Sequence, residues 1–446
     1  MSTVQHKDVT VYHETEAECV DAPLLVAAGL ARSGAFASHL VYERDGKFWF
    51  AGGALAEIVL HPKELTVRQA GRETRTGLTG PPLHAVARAL ADLPVREPNA
   101  YGWAGFELGH LRAGTEDLPS APELLHLVVP LAEVDLTAGR ARIRCADPAL
   151  LDRIHRLVSA PQDIPAARPA TAPVPALTLD GGYRDRVAHT IEAIRRGRLD
   201  KAIVSRRVPV QEPIDFPLTY VRGRGAQSPA RSFLLDLGGR KAVGFSPETV
   251  VEADESGRVS TQPLAGTRAM GDGAAERARL LADLLSDPKE VYEHAISVRL
   301  AQRELEEICR PDSVAVSEFM AVLERGNVQH LASRVSGQLR QGLTCWDALA
   351  VLCPAVTASG IPKATAFRMI AEVEEEPRDL YAGTVLRVTH RGAMDSALLL
   401  RSAFERHGRT WLQAGAGVIA GSRPEREFTE TCEKLGSIAP YLVPRA

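Results

Sequence analysis

Long apolar runs are missing from this 446-residue chain. No stretch approaches the ~18 uninterrupted apolar residues of a membrane-spanning helix, so a soluble protein is expected. An excess of either charge is missing too: 53 Lys and Arg stand against 56 Asp and Glu, a formal net charge of −3. Aromatics make up only 5%. A nucleic-acid platform needs a basic face or stacking rings, so that class is excluded. The six cysteines (Cys19, Cys145, Cys309, Cys345, Cys353, Cys432) form no CxxC pair and no zinc spacing. That excludes a disulfide scaffold and points to reduced thiols in the cytoplasm. The opening MSTVQHKDVTVYHETEAE is polar and acidic, unlike a signal peptide. With 45% hydrophobic residues, the chain can build two or three domains or one unusually large one.

Proline concentrates in one place. APQDIPAARPATAPVPAL, residues 160–177, holds five prolines and reads as an extended connector between segments 1–159 and 178–446. Both segments are rich in strand meanders around turn signals, as in SHLVYERDGKFWFAGG and LHLVVPLAEVDLTAGRARIRCA. The plan of SFLLDLGGRKAVGFSPETVVEADESGRVSTQPLAGT returns at GTVLRVTHRGAMDSALLLRSAFERHGRTWLQAGAGV, which suggests two related sheet units. Helical periodicity marks YRDRVAHTIEAIRRG, with Tyr183, Val187, Ile191 and Ile194 in one stripe and Gly197 as the stop. Helices also fit 274–309, 316–324, 344–353 and 363–374. Meanders and helix clusters without βαβ alternation predict an α/β protein of the layered α+β kind.

Two helix starts carry unusual carboxylates. In SRPEREFTETCEKL, Ser422, Pro424 and Glu425 form a capping-box pattern. Phe428, Cys432 and Leu435 then share a core-facing flank, while Glu427, Glu430, Thr431 and Lys434 gather on another side. Taken alone this is a solvated face, with Glu430 and Lys434 an i,i+4 ion pair and Glu433 in water. SDPKEVYEHAISVR repeats the design: Asp287, Pro288 and Glu290 make a second capping box, and Glu293 follows one turn later. Glu290 is explained as a cap; Glu293 is not. Carboxylates from two helix starts suit Mg²⁺, which takes a few protein oxygens, waters and an anionic substrate. Helix N-termini favour an anion nearby as well.

The other candidates are ordinary one by one. Lys201, in LDKAIVSRRV, opens a strand, where lysine is usually solvated. Glu248, in GFSPETVV, sits between two strands. His330, in ERGNVQHLAS, reads as a satisfied, half-buried histidine. Arg401 interrupts the apolar strand ALLLRSAF and needs an anionic partner there. Gly415, Gly417 and Gly421 in QAGAGVIAGS do not fit G-x-G-x-x-G, and no second strand with its acid follows, so a dinucleotide fold is rejected. In a strand-to-helix turn their bare amides could still approach a carboxylate.

Taken together, KAIVSRR, DFPLTY, RSFLLDLGG, GFSPE, PLAGTR, KEVYEHAISVR, ERGNVQHL, AVTASGIPK, LYAG, LRSAF, AGAGVI and EREFTETCEKL run in family order from about residue 200 to 436. This set resembles the chorismate-utilising enzymes of the anthranilate synthase component I and isochorismate synthase type. Within them it is most similar to siderophore-pathway salicylate synthases such as the mycobactin one. YERDGKFWFAGG and YGWAGFELGH extend the likeness more loosely into the N-terminal segment.

The resemblance implies one large domain of stacked antiparallel sheets ringed by helices, with 1–159 folded into it and 160–177 a surface connector. It implies Mg²⁺ and chorismate. Glu293 and Glu430 are then metal-site acids, Glu290 and Glu427 help directly or through water, and Lys434 sits beside them. The ring carboxylate meets the metal and the amides from Gly415 to Gly417. Arg401 and Tyr381 hold the enolpyruvyl carboxylate, Gly266, Thr267 and Thr357 line the pocket, and His330 belongs to the catalytic group without an assigned role.

Water must attack ring carbon 2 while hydroxide leaves carbon 4, so a base and an acid are needed; Lys201 matches the family's base and Glu248 its acid. Burial is expected to raise Glu248. The second step, elimination of pyruvate to give salicylate, moves a hydrogen within the substrate. Amine-adding relatives carry glutamine at the Lys201 position, so the lysine implies water as nucleophile and no glutaminase subunit. The expected protein is a cytoplasmic monomer, and an isochorismate synthase that stops at isochorismate is the alternative. Gln262 departs from the acid expected in the closest members and takes no role.

Overall fold

A computed structural model describes residues 9–164, 177–271, 273–325 and 328–445 of the chain. The first eight residues, residues 165–176 of the proline-rich connector, and Gly326 and Asn327 of the ERGNVQHL motif lie outside these. Among the described residues, two antiparallel sheets of eleven and twelve strands form the body. Strands from either side of the connector are neighbours in both. His39–Arg44 pairs with Arg231–Leu237 in one, and Ala100–Ala104 with Thr384–Val388 in the other.

Strand periodicity places the core. Along Arg231–Leu237, Phe233, Leu235 and Leu237 face the second sheet and meet Trp103, Leu127 and Val251 in one buried cluster. Leu234 points the other way, into a cluster with Val41, Val243 and Leu412 under the helix Pro23–Arg32. Alternate side chains of one strand thus serve two layers. A third cluster joins the Tyr183–Arg195 stripe to Val204, Val418 and Phe428. The two meanders that echo each other each give one hairpin to each sheet. They visit the sheets in opposite order: the first unit starts in the eleven-stranded sheet and the second ends there.

Two expectations about elements change. Residues 316–324, expected as helix, belong to the strand Ala315–Arg325, paired with Val328–Gln338. Helix propensity is a weak preference that a neighbouring strand's ladder overrides. Met320 there has φ +53°, which no α-helix contains. The stretch 274–309 divides into helices Ala274–Ser286 and Pro288–Glu306, meeting at Asp287, whose side chain accepts from the Lys289 amide at 2.9 Å. All six cysteines are free thiols. No helix among the described residues is long and apolar enough to cross a membrane.

Candidate active site

The strand Lys201–Val210 lies antiparallel to Arg409–Val418, with Ile203 opposite Gly417 and Ser205 opposite Gly415. The helices Pro288–Glu306 and Pro424–Leu435 bring their first turns to this pair of strands. Gly417 is what allows the approach. A Cβ there would stand 2.0 Å from the Glu293 carboxylate. Gly415 and Gly417 are therefore strand residues, and the expected strand-to-helix turn comes after them.

One cavity is lined by twelve of the fifteen candidates: Glu248, Gly266, Thr267, Glu293, His330, Thr357, Tyr381, Arg401, Gly415, Gly417, Glu430 and Lys434. Lys201 stands directly behind it, its Nζ 2.9 Å from Glu293 Oε1. Glu290 and Glu427 lie behind it too, each 3.5 Å from Lys289 Nζ. A roomier groove, about 660 Å³, lies elsewhere, between Glu64–Gln69, Arg72–Gly77 and helix Pro82–Ala91. Among the described residues its charged lining is Arg72, Arg88 and Asp92.

Several local readings are corrected. Lys201 is not solvated: it is fully buried and donates to Ser297 Oγ at 3.0 Å, while Ser297 donates to the Glu293 carbonyl at 2.7 Å. Ser422 does not cap its helix. Arg423 holds the cap position without a side-chain bond, and Ser422 Oγ instead accepts from the Ile419 amide. Glu290 does not close a capping box; it accepts from Arg268 Nη1 at 2.9 Å and from the Thr267 amide at 3.2 Å. Glu433 is paired with Arg426 at 2.9 Å. Arg401 lies between the strands Met394–Leu398 and Ser402–Arg406, at φ +50°.

The apolar walls divide the charges unevenly. Burial pushes Glu248 up to about 8, against the pull of a hydrogen bond from Thr357 and of the Lys201 and Lys434 charges. It is therefore a protonated acid at neutral pH. Burial and the neighbouring Glu430 charge raise Glu427 to about 7. Burial opposes ionisation of Glu430 as well, but Lys434, 2.8 Å away, and Lys289 outweigh it and hold Glu430 at about 2. Glu293 is lowered in the same way by Lys201 and Lys289. The Glu430–Lys434 pair is thus an element of a buried cluster, and Lys434 also donates to the Gly415 carbonyl at 2.8 Å.

At the other end of the cavity, Arg401 Nη2 meets His330 Nε2 at 2.6 Å. Guanidinium only donates, so Nε2 is the acceptor and Nδ1 carries the proton. That N–H donates to Thr267 Oγ1 at 3.0 Å. Tyr381 is buried, its phenol oxygen facing the Gly415 amide and its ring edge-on to Phe404.

Among the described residues no three His, Cys, Asp or Glu side chains converge as metal ligands do. Lysine nitrogens stand between them instead. The donor set nevertheless fits a hard divalent cation: four carboxylates, with Glu427 Oε2 buried and without a hydrogen-bond partner among the described residues. Lys289 and Ser297 are two members of the site that the local sequence does not single out. Ser297 has a signal in its spacing, four residues after Glu293 on the same helical face. Lys289, beside a helix-opening proline, looks like any first-turn lysine.

The family model described as chorismate binding enzyme matches residues 39–440. The salicylate synthase of Mycolicibacterium paratuberculosis is 43% identical over 408 residues, 91% of this chain and 90% of that protein. Anthranilate synthase component 1 of Aeropyrum pernix is 39% identical over 263 residues, 58% of this chain and 60% of the relative. Among solved structures, anthranilate synthase component I from Streptococcus pneumoniae superposes with a TM-score of 0.72 at 25% identity, covering 90% of this chain and 92% of that one. The menaquinone-specific isochorismate synthase from Escherichia coli shares the fold with a TM-score of 0.72 at 20% identity, covering 98% and 96%.

Proposed function

The chain belongs to the chorismate-binding enzymes, and from that premise we propose that it is a salicylate synthase, converting chorismate through isochorismate to salicylate and pyruvate. The observation that carries the reading is a fully buried lysine and a buried glutamate raised to about 8 at one cavity, Lys201 behind its wall and Glu248 in it. Likeness over nine-tenths of the chain to a salicylate synthase supports salicylate as the product.

In the first step Lys201 acts as the base, taking a proton from water as the water's oxygen bonds ring carbon 2. Glu248 gives its proton to the hydroxyl leaving carbon 4, so one water enters and one departs. Thr357, bonded to Glu248, aims that carboxyl. Arg401 offers the enolpyruvyl carboxylate a two-pronged donor, held in orientation by His330, which Thr267 in turn positions. Tyr381 joins Arg401 on that carboxylate, and Gly266 keeps the wall beside it thin. The backbone at Gly415 and Gly417 faces the ring carboxylate, with Lys434 beside it.

Glu293 and Glu430 would hold Mg²⁺, with Glu290 and Glu427 taking part directly or through water. When bound, the ion supplies positive charge for the ring carboxylate. In the second step the C3–oxygen bond breaks as the carbon 2 hydrogen passes to the departing enolpyruvyl group, which leaves as pyruvate. Here the protein's task is to hold the substrate's conformation. The enzyme acts as a cytoplasmic monomer without a glutaminase subunit, and its salicylate serves a siderophore or another salicylate-derived metabolite.

Product analysis after incubation of chorismate with the protein and Mg²⁺ tests this reading. Salicylate and pyruvate in equal amounts are expected. Isochorismate as the only product would leave an isochorismate synthase, and unchanged chorismate would reject both.

A further inference from the structure

Among the described residues, three cations each hold one glutamate of the carboxylate cluster at short range, Arg268 also pairing with Asp283 and Asp287. Lys201 reaches Glu293 at 2.9 Å, Lys434 reaches Glu430 at 2.8 Å, and Arg268 reaches Glu290 at 2.9 Å. Lys289 behaves differently. Its Nζ is shared among Glu293 at 3.2 Å, Glu290 at 3.5 Å and Glu427 at 3.5 Å, spanning both helix starts, with no contact as tight as its neighbours'. One ammonium centred among three carboxylates at long range has the placement of a coordinated cation. Beside it Glu427 Oε2, buried and without a hydrogen-bond partner among the described residues, is left with an unused lone pair. Lys289 also has a way out: its side chain is 17% exposed, where that of Lys201 is 0%.

We propose that Lys289 is the resident counter-ion of the metal site, occupying the cation position with its ammonium and withdrawing toward solvent when a divalent cation enters. The inference rests on the magnesium reading above. An ion that binds oxygens at about 2.0–2.1 Å needs the glutamates drawn together. An ammonium wedged among them at 3.2–3.5 Å keeps them apart. The same charge repels the incoming ion, so Lys289 sets metal affinity below what four carboxylates alone would give. While it stays there, it neutralises a cluster whose mutual repulsion would otherwise weaken the packing of the two helices.

Binding of Mn²⁺ as the probe, followed by the loss of its free-ion electron paramagnetic resonance signal, tests this without any turnover. Lys289→Met keeps the apolar stem and removes the charge. It should bind Mn²⁺ at least about tenfold more tightly than the parent protein, since a unit charge within a few ångströms of the ion is removed. Lys289→Gln should do the same and covers the case in which the methionine variant fails to fold. Glu427→Gln should weaken binding in either background. Parent-like or weaker Mn²⁺ affinity in the lysine variants, with Glu427→Gln still impaired, would overturn the role of Lys289 and leave the metal site standing. If neither the parent nor any variant binds Mn²⁺ at millimolar concentration, the metal-site reading itself falls, and this inference with it.

Discussion

Lys201 Nζ and Glu293 Oε1 are 2.9 Å apart, one at the head of a strand and the other in the second turn of a helix, with the lysine wholly buried. This contact joins the residue proposed to activate water to one proposed to hold the metal. A change at either position therefore reaches both jobs, and experiments on the site must separate them.

Glu293→Gln and Glu430→Gln should each lower turnover of chorismate by about 10² or more, the scale of losing a charged group acting in the transition state. Their stabilities should differ. Glu293→Gln leaves Lys201 buried without its carboxylate, a loss of about 3–5 kcal/mol by analogy with other broken buried pairs. Lys434, which Glu430→Gln releases, has 26% of its side chain exposed and can turn to water. Thermal melts should therefore show the larger drop for Glu293→Gln. Full activity of the parent protein in EDTA would contradict the metal assignment for both.

Glu248 supplies a pH test. Burial raises it to about 8 from an ordinary 4.5. The acid must carry its proton, so kcat/KM for chorismate should fall about tenfold per pH unit above 8. Glu248→Gln should reduce the rate 10²–10⁴-fold, the usual range for an acid or base, and abolish that alkaline limb. Stability carries the same signature. Between 4.5 and 8 the folded state holds a proton that the unfolded chain has lost, so stability declines as pH rises through that window. The glutamine variant should lose this part of the slope in melts taken across it.

Much of this site is legible in the residues alone. The matching acids of two helix starts can be read from spacing, and Glu293 stands out because no cap explains it. Local pattern fails where long-range contact decides the outcome. Lys201 looks solvated in its own decapeptide and is buried only because strand Arg409–Val418 and helix Pro288–Glu306 close over it. Glu290 looks like a cap, yet Arg268 and the Thr267 amide, on a strand that precedes it, take its oxygens. Residues 316–324 look helical until Val328–Gln338 pairs with them. Lys289 has no local signal at all, because its partners converge from two helices more than a hundred residues apart.

Gly417→Ala isolates the close approach. The new methyl would meet the Glu293 carboxylate at 2.0 Å, and that carboxylate is the far end of a flexible side chain. Because the oxygen it meets is the one paired with Lys201, the melting temperature should fall, by no more than in Glu293→Gln, while chorismate turnover falls by at least about tenfold, a 1.4 kcal/mol effect. Unchanged kinetics would mean that Glu293's position is not critical.

Arg401→Lys keeps the charge and loses the planar fork, so KM should rise strongly while kcat changes less. His330→Gln should give a smaller shift in the same direction, because His330 orients the guanidinium by accepting from Nη2 at 2.6 Å. A His330 variant with normal KM and a collapsed kcat would instead make the imidazole a direct participant in the chemistry.

The most direct measurement compares Lys201→Gln on two substrates. Glutamine can still donate to Glu293 and Ser297 but cannot take a proton from water. With chorismate, consumption should fall about 10²–10⁴-fold, the contribution expected of a general base. With isochorismate supplied, salicylate and pyruvate should form at near the parental rate, because the second step needs neither a base for water nor an acid for hydroxide. If the variant consumes chorismate within tenfold of the parent, Lys201 is not the residue that delivers water to ring carbon 2.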